Sequence, residues 1–443
     1  MPRLFGTDGI RGIANVDLTS SLAMDLGRAT ANLLLSGDRR ILVGQDTRRS
    51  CDMFVAAIVA GGTSAGAEVH RLGVCPTPAL AFVTDAGGYG AGIMVSASHN
   101  PAEDNGLKVL DSRGMKLEDE VEDQLEALIW KADELPHPTN DEMGCEVDAR
   151  HELDRYRRSR MELATRSRSD LAIAVDCANG SASVVAADIL ARTGARVTAY
   201  FNEPDGVNIN VACGAVSPDA LAGIVATHGY QLGIALDGDA DRCVTVDERG
   251  HVVDGDRLIG IIAMDRLERG ALAADTVVLS VLSNGGLESA ITAAGGRVVR
   301  TPVGDKYILG SMQLSGAGLG GEKSGHVIMA EHSASSDGLL TALEVLDILS
   351  RTGKPLSELA ARIPLFPQQQ RTIPARHREQ WEADLPLAEA VRAAEAELKG
   401  RGRILVRPSG TEPALRIMVE GEDAVRVRQL ADELSALAAH RLN

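Results

Sequence analysis

Three stretches of the chain repeat one pattern of apolar and polar positions. Residues 41–50 (ILVGQDTRRS) with 55–69, residues 171–180 (LAIAVDCANG) with 184–197, and residues 276–285 (TVVLSVLSNG) with 287–298 each begin with an apolar run. A polar turn follows, then a helical pattern closed by glycine, then a second apolar run. Each copy predicts a buried strand, a turn, a helix and another strand. A period this long is that of repeated domains rather than of a solenoid.

A further similarity lies downstream in each copy. GYGAGIMVSAS ends at Ser98 and GYQLGIALDGD at Asp239, and their Gly-Tyr and Gly-Ile pairs are 141 positions apart; GAGLGGEKS matches GAGIMVSAS at a shift of 226, which carries Ser98 onto Ser324. Three polar loops therefore follow three similar strands. Ligands in open α/β sheets bind beyond the carboxyl ends of strands, so these loops are candidates to share one cleft. Beyond the third copy, PLFPQQQRTIPARHREQW reads as a linker or an opening strand. It leads into a fourth, smaller region in which two amphipathic helices flank two strands around the loop RPSGTEP. The expected organisation is α/β: three related mixed α/β domains, 1–155, 156–254 and 255–366, then a smaller α+β domain, 367–443.

Size and composition agree with this reading. A chain of 443 residues suggests about two to four domains. Aromatics are only 3% of the residues, so small apolar side chains must fill the cores. The net charge of −17 disfavours nucleic acid and anionic lipid surfaces, which select clustered Lys and Arg, but leaves room for an anionic substrate in a locally basic cleft. Six scattered cysteines without a CxxC pair fit a reducing compartment. Neither a secretory leader nor an apolar run of membrane-spanning length is visible, so the expected location is the cytoplasm.

The loops carry the candidate chemistry. Ser96, Ser98, His99 and Asn100 follow an apolar strand, with Pro101 stopping its continuation. The loop lacks the flanking glycines of a hydrolase elbow; by itself it fits a helix-capping turn as well as a serine nucleophile. Asp237, Asp239 and Asp241 alternate in DGDADR. Three carboxylates so placed either repel one another or gather round a cation, and an all-oxygen set favours Mg²⁺. Arg242 stands where a calcium-binding EF-hand loop needs glycine, and the flanks read as strands. Arg407, Ser409, Gly410, Thr411 and Arg416 offer guanidinium, hydroxyl and backbone donors suited to a terminal phosphate, or else form an ordinary turn. Glu322, Ser324 and His326 suit sugar hydroxyls, and the glycine-rich FGTDGIRG brings Arg11.

Taken in order, FGTDGIRG, SASHNP, DGDADR, GEKSGH and RPSGTEP resemble the α-D-phosphohexomutase superfamily over nearly the whole chain. FGTDGIRG with SASHNP, together with TPVGDKYI, resembles its aminosugar branch. The resemblance implies a four-domain, heart-shaped architecture. It also implies an isomerase that interconverts glucosamine 6-phosphate and glucosamine 1-phosphate and so supplies UDP-N-acetylglucosamine synthesis. In that reading Ser98 is the phosphoserine, and Asp237, Asp239, Asp241 and a Ser98 phosphate oxygen hold Mg²⁺. Glu322 and Ser324 read the sugar hydroxyls, and Arg407, Ser409, Gly410, Thr411 and Arg416 clamp the non-reacting phosphate. Arg11, Lys108 and His326 fall at cationic or acid–base positions. A glucosamine or glucose 1,6-bisphosphate is the implied primer, and relatives suggest a homodimer. Glucose or mannose phosphates are alternative substrates, and a metal-dependent sugar phosphatase is the alternative reaction.

Overall fold

The computed structural model describes residues 3–6, 8–35, 37–164, 171–409 and 413–442. Contacts divide the chain into two units, one formed by Met1–Leu282 with Ala294–Arg362 and the other by Ser283–Ala293 with Ile363–Asn443.

The first unit holds three sheets. One contains β1 (Ile10–Ile13), β2 (Arg40–Gln45), β3 (Glu68–Val74), β4 (Ala91–Val95), β5 (Asp104–Leu110) and β6 (Glu146–Asp148), in the order β1-β5-β4-β2-β3-β6. The next contains β7 (Ala172–Asp176), β8 (Arg196–Tyr200), β9 (Leu232–Leu236), β10 (Cys243–Asp247) and β11 (Val252–Val253), ordered β11-β10-β9-β7-β8. The last contains β12 (Thr276–Ser280), β13 (Arg297–Thr301), β14 (Leu319–Gly321) and β15 (Val327–Met329), ordered β13-β12-β14-β15.

One four-strand core recurs in all three. Its first strand (β2, β7 or β12) runs parallel to both neighbours, and the outer fourth strand turns back antiparallel. The repeated strand, helix and strand are present as expected, with the glycines that follow the helices, Gly66, Gly194 and Gly295, at φ +80, +90 and +91. That left-handed conformation is the one glycine adopts without a Cβ penalty.

At the end of each first strand the equivalence is chemical. Asp46, Asp176 and Ser280 each accept, through a side-chain oxygen, the amide N–H two residues on, at 2.9, 2.8 and 3.3 Å. The residues just before them, Gln45, Val175 and Leu279, pair across the sheet with Val95, Ile234 and Gly321. Three residues beyond these partners lie Ser98, Asp237 and Ser324. The ladder thus places Asp237 level with Ser98, two residues from the Asp239 indicated by sequence similarity. Side chains alternate with a period of two along a strand, so a slip of two keeps the same face.

Aliphatic residues, Leu and Ile as well as Ala and Val, fill the core of the first sheet, where Phe5 and Phe54 are the only aromatics among the clustered buried side chains described. Burial also takes in charge. The Arg160 guanidinium, fully buried, donates to Asp337 at 2.8 Å and lies over the rings of Phe82 and Tyr156. Asp337 in turn caps the helix Gly338–Thr352 by accepting from the Leu340 amide. This pair ties the helix Leu153–Leu163 to the segment that follows β15.

The second unit is an antiparallel sheet of β16 (Gln368–Pro374), β17 (Gly402–Pro408) and β18 (Ala414–Gly421), ordered β16-β18-β17, with the helices Leu385–Leu398 and Ala424–Arg441 on its core. The proline- and glutamine-bearing stretch is therefore an opening strand. The helix Gly285–Ala293 groups with this unit: Glu420 on β18, fully buried, accepts from the Gly285 amide at 2.9 Å. A carboxylate at a helix N-terminus meets its free amides and the positive end of its dipole.

Replacing Arg160 by Met should leave the Asp337 carboxylate buried without its countercharge, costing about 3–5 kcal/mol and lowering the melting temperature measured by calorimetry. A pH effect is expected at Asp176. Burial pushes its carboxyl up to about 6, although it accepts two backbone amides. A folded-state pKa above the unfolded one adds stability that is complete below about pH 4 and lost as pH rises through about 6. Compared with D176N, the natural protein should lose on the order of 2–3 kcal/mol between about pH 4 and pH 7 in denaturant titrations.

Candidate active site

Ser98 follows β4 in a left-handed conformation, φ 52, that non-glycine residues adopt rarely. Neighbours hold it there. Its N–H donates to the Ser96 hydroxyl at 2.9 Å, and its carbonyl accepts from Arg48 and from Asn210, each at 2.9 Å. Arg48, with a fully buried side chain, is paired with Asp46 and also donates to the carbonyls of Asn100, Pro101 and Asp104. The Ser96 hydroxyl donates to the same Asp46 at 2.6 Å. One guanidinium thus fastens three carbonyls of the loop that presents the serine and that of Asp104, where β5 begins. On the other side the turn after β9 presses close: a Cβ on Gly238 would lie 2.5 Å from the Ser98 carbonyl oxygen.

That turn brings the three aspartates together. Asp237, Asp239 and Asp241 are all buried, and one carboxylate oxygen from each lies within 4.8 Å of the others. The Ser98 hydroxyl donates to Asp237 at 2.6 Å. The backbone N–H of Arg242 donates to the other Asp237 oxygen at 3.1 Å. Asp239 Oδ2 accepts from Thr77 at 2.6 Å and from Lys108 at 2.8 Å, whereas its Oδ1 is buried without a partner among the described residues. Asp241 is paired with His326 at 2.9 Å.

The titration of these groups follows from crowding. Burial, then Asp241 and Asp239, push Asp237 up to about 7. Burial would raise Asp241 as well, but His326 and Lys108 hold it well below the ordinary range. Burial would lower Lys108 and His326; the aspartates outweigh it, raising Lys108 and lifting His326 to about 10. Both therefore stand as cations against the acidic cluster. His99, 3.4 Å from the Ser98 hydroxyl, is lowered to about 4 by burial and then by Arg242 and Arg11. Three buried carboxylates, a serine hydroxyl and an unpartnered Oδ1 fit a hard divalent cation with oxygen ligands.

Next to the serine opens a cleft with roughly 920 Å³ of space, lined by Arg11, His99, Lys116, Arg242, Glu322 and His326 among others. Arg11 is paired with Asp8 and donates to the Asn100 side chain at 3.0 Å. Glu322 accepts from the Gly304 amide at 3.1 Å and approaches His326 at 3.6 Å. Ser324 has a buried hydroxyl without a partner among the described residues.

Arg407 and Arg416 lie in the second unit, directly opposite each other across β17 and β18. Burial and then Arg416 lower the pKa of Arg407. Two like charges facing across a ladder repel, and an anion between them relieves that. Beside them the buried Ser409 hydroxyl has no partner among the described residues, and Arg378 donates to the Ser409 carbonyl at 3.1 Å. Gly410 and Thr411 lie outside the described residues.

Several groups at these sites are not legible in the sequence as site residues: Asp8, Asp46, Arg48, Thr77, Lys116, Asn210 and Arg378. Each acts through a partner distant in the chain, except that Asp46 and Arg48 belong to the repeated turn, whose equivalence was the one available signal.

Comparison with known proteins agrees with the architecture. Residues 2–136, 153–250 and 254–366 match the phosphoglucomutase/phosphomannomutase alpha/beta/alpha domains I, II and III, and residues 372–437 match that family's C-terminal domain. Phosphoglucosamine mutase of Moorella thermoacetica is 47% identical over 442 residues, spanning 99% of this chain and 100% of the relative. That of Symbiobacterium thermophilum is 47% identical over 98% of each. Among solved structures, a phosphoglucomutase/phosphomannomutase family protein of Burkholderia thailandensis superposes with a TM-score of 0.84 at 24% identity, covering 100% of this chain and 98% of that one. Aspergillus fumigatus N-acetylphosphoglucosamine mutase, solved with GlcNAc-6P and magnesium, gives 0.67 at 18% identity over 99% and 95%. The three repeated sheets, the smaller C-terminal sheet and the full-length identity lead to one conclusion: the chain belongs to the phosphoglucomutase/phosphomannomutase family of phosphohexomutases and, within it, to the phosphoglucosamine mutases.

Proposed function

We propose that the protein interconverts glucosamine 6-phosphate and glucosamine 1-phosphate through a phosphorylated Ser98 and a bound 1,6-bisphosphate. The observation that carries this reading is the Ser98 hydroxyl, 2.6 Å from the Asp237 carboxylate at the edge of a cationic cleft. The Ser98 Oγ–P bond breaks as a bond forms between phosphorus and O1 of the sugar. The bisphosphate turns end for end, and its 6-phosphate returns to Ser98, leaving glucosamine 1-phosphate. No proton is lost overall, because the hydroxyl freed at C6 regains what O1 gave up.

Asp237, Asp239, Asp241 and a phosphate oxygen on Ser98 would hold Mg²⁺. Bound there, the ion neutralises charge on the phosphoryl group in transfer. Arg48 and Asn210 keep the serine backbone in place, and Arg11 with Arg242 supplies positive charge beside it. Glu322 and Ser324 receive sugar hydroxyls. Arg407, Ser409, Gly410, Thr411 and Arg416 bind the phosphate that is not reacting, in either orientation of the sugar. This assigns the serine loop to a domain 1–155, the aspartates to 156–254, the sugar loop to 255–366 and the phosphate loop to 367–443.

A glucosamine or glucose 1,6-bisphosphate primes the serine, and the product feeds UDP-N-acetylglucosamine synthesis. The sugar phosphate bound in the Aspergillus fumigatus complex, GlcNAc-6P, is likewise a phosphorylated hexosamine. All six cysteines are free, five of them buried, which supports a reducing, cytoplasmic compartment. Among the described residues no helix is long and apolar enough to cross a membrane.

Purified protein given glucosamine 6-phosphate, Mg²⁺ and bisphosphate primer should form glucosamine 1-phosphate, followed by phosphorus NMR, and S98A should fall to background. Inorganic phosphate released without the 1-phosphate would mean a phosphatase instead. Faster turnover of glucose or mannose 6-phosphate would move the substrate to those sugars. Arg48→Lys keeps the charge beside Asp46 but loses the fork that reaches four carbonyls. Its kcat should drop on the order of 100-fold with little change in KM, because misplacing a reacting group costs rate.

A further inference from the structure

We infer that Thr77 is a positioning residue that decides which oxygen of Asp239 faces the divalent cation; this rests on the reading of the aspartate cluster as a metal site. Thr77 is buried and opens the helix Thr77–Ala86, which follows β3 and so belongs to the first sheet's layer. It reaches across to the turn after β9 with two hydrogen bonds. Its hydroxyl donates to Asp239 Oδ2 at 2.6 Å, and its N–H donates to the Asp239 carbonyl at 2.9 Å. The carboxylate and the main chain of one aspartate are thus held by one residue.

The two oxygens of that carboxylate are chemically alike until their surroundings separate them. Oδ2 carries two donors, the Thr77 hydroxyl and Lys108 Nζ at 2.8 Å. Oδ1 carries none among the described residues, although it is fully buried in a place where an unpaired carboxylate oxygen is costly. The arrangement leaves Oδ1 as the atom that needs a cation.

Lys108 alone supplies less direction. Its ammonium also lies 3.1 Å from Asp8 and 3.8 Å from Asp241, so its charge is divided among three carboxylates. Thr77 has a single hydroxyl proton, spent on Asp239, and a backbone that the second bond fixes. Partners that orient a ligand in this way are typically worth 10–100-fold in metal affinity.

The test is the binding of Mn²⁺, a probe for Mg²⁺ with the same preference for oxygen ligands, to the full-length protein, with free Mn²⁺ read by electron paramagnetic resonance. T77V deletes the hydroxyl at constant shape and should weaken Mn²⁺ binding about 10–100-fold, while T77S should bind like the natural protein. Circular dichroism in EDTA should show all three folded at the temperature of the titration, with T77V melting lower because it loses a buried hydrogen bond to a carboxylate. T77A, which removes the hydroxyl without branching, gives the same reading should T77V fold poorly. Tight binding by both T77V and T77A would overturn the role of Thr77 while leaving the aspartate site intact. Binding by the natural protein that D239A does not weaken would overturn the metal-site reading and this inference with it.

Discussion

Mutual repulsion among three buried carboxylates is the constraint round which the rest of the site is arranged. Asp237, Asp239 and Asp241 sit on one turn with converging oxygens and no bulk water to screen them. Burial, and then the like charges of Asp241 and Asp239, push Asp237 upward. The protein answers with two buried cations, Lys108 against Asp239 and His326 against Asp241, and with the Ser98 hydroxyl, which donates to Asp237. What remains is a place for a divalent ion and, on the proposed reading, for a phosphate on the serine.

A serine that must meet such a cluster needs a fixed backbone. The left-handed φ at Ser98 costs on the order of 1–3 kcal/mol and persists only when neighbours enforce it. Enforcement comes from two layers of the fold. Asp46 and Arg48 at the end of β2 hold the loop from below, and Asn210 and the Gly238 turn hold it from the side of the second sheet. The buried Arg48–Asp46 pair is expensive to desolvate, and its contacts offset that by satisfying the carbonyls of Ser98, Asn100 and Pro101 in the loop and that of Asp104 at the start of β5.

The repeated core explains how one fold presents three different polar loops at equivalent positions. Each copy ends its first strand with a side-chain oxygen on the amide two residues on, and each carries its functional loop three residues past the neighbouring strand's paired position. The frame is common; the loop residues differ. Serine stands there in the first copy, aspartate in the second and a serine two residues after a glutamate in the third.

The sequence by itself determined the elements and the loops. Runs of apolar residues with closing glycines announced the three strand–helix–strand copies, and the alternation of Asp237, Asp239 and Asp241 announced an acidic cluster, because these signals are local. A shift of 141 identified the second copy but was two residues off the ladder, since period-two alternation makes such a slip invisible to a hydropathy pattern. Tertiary structure alone decided that Thr77 would bond Asp239, that Arg48 would reach Ser98 and Asp104, and that the helix Gly285–Ala293 would be capped by Glu420. Those partners lie about 50 to more than 100 residues apart. No local pattern encodes them, because a hydrogen bond depends on where folding brings two groups and not on how the chain is spelled between them.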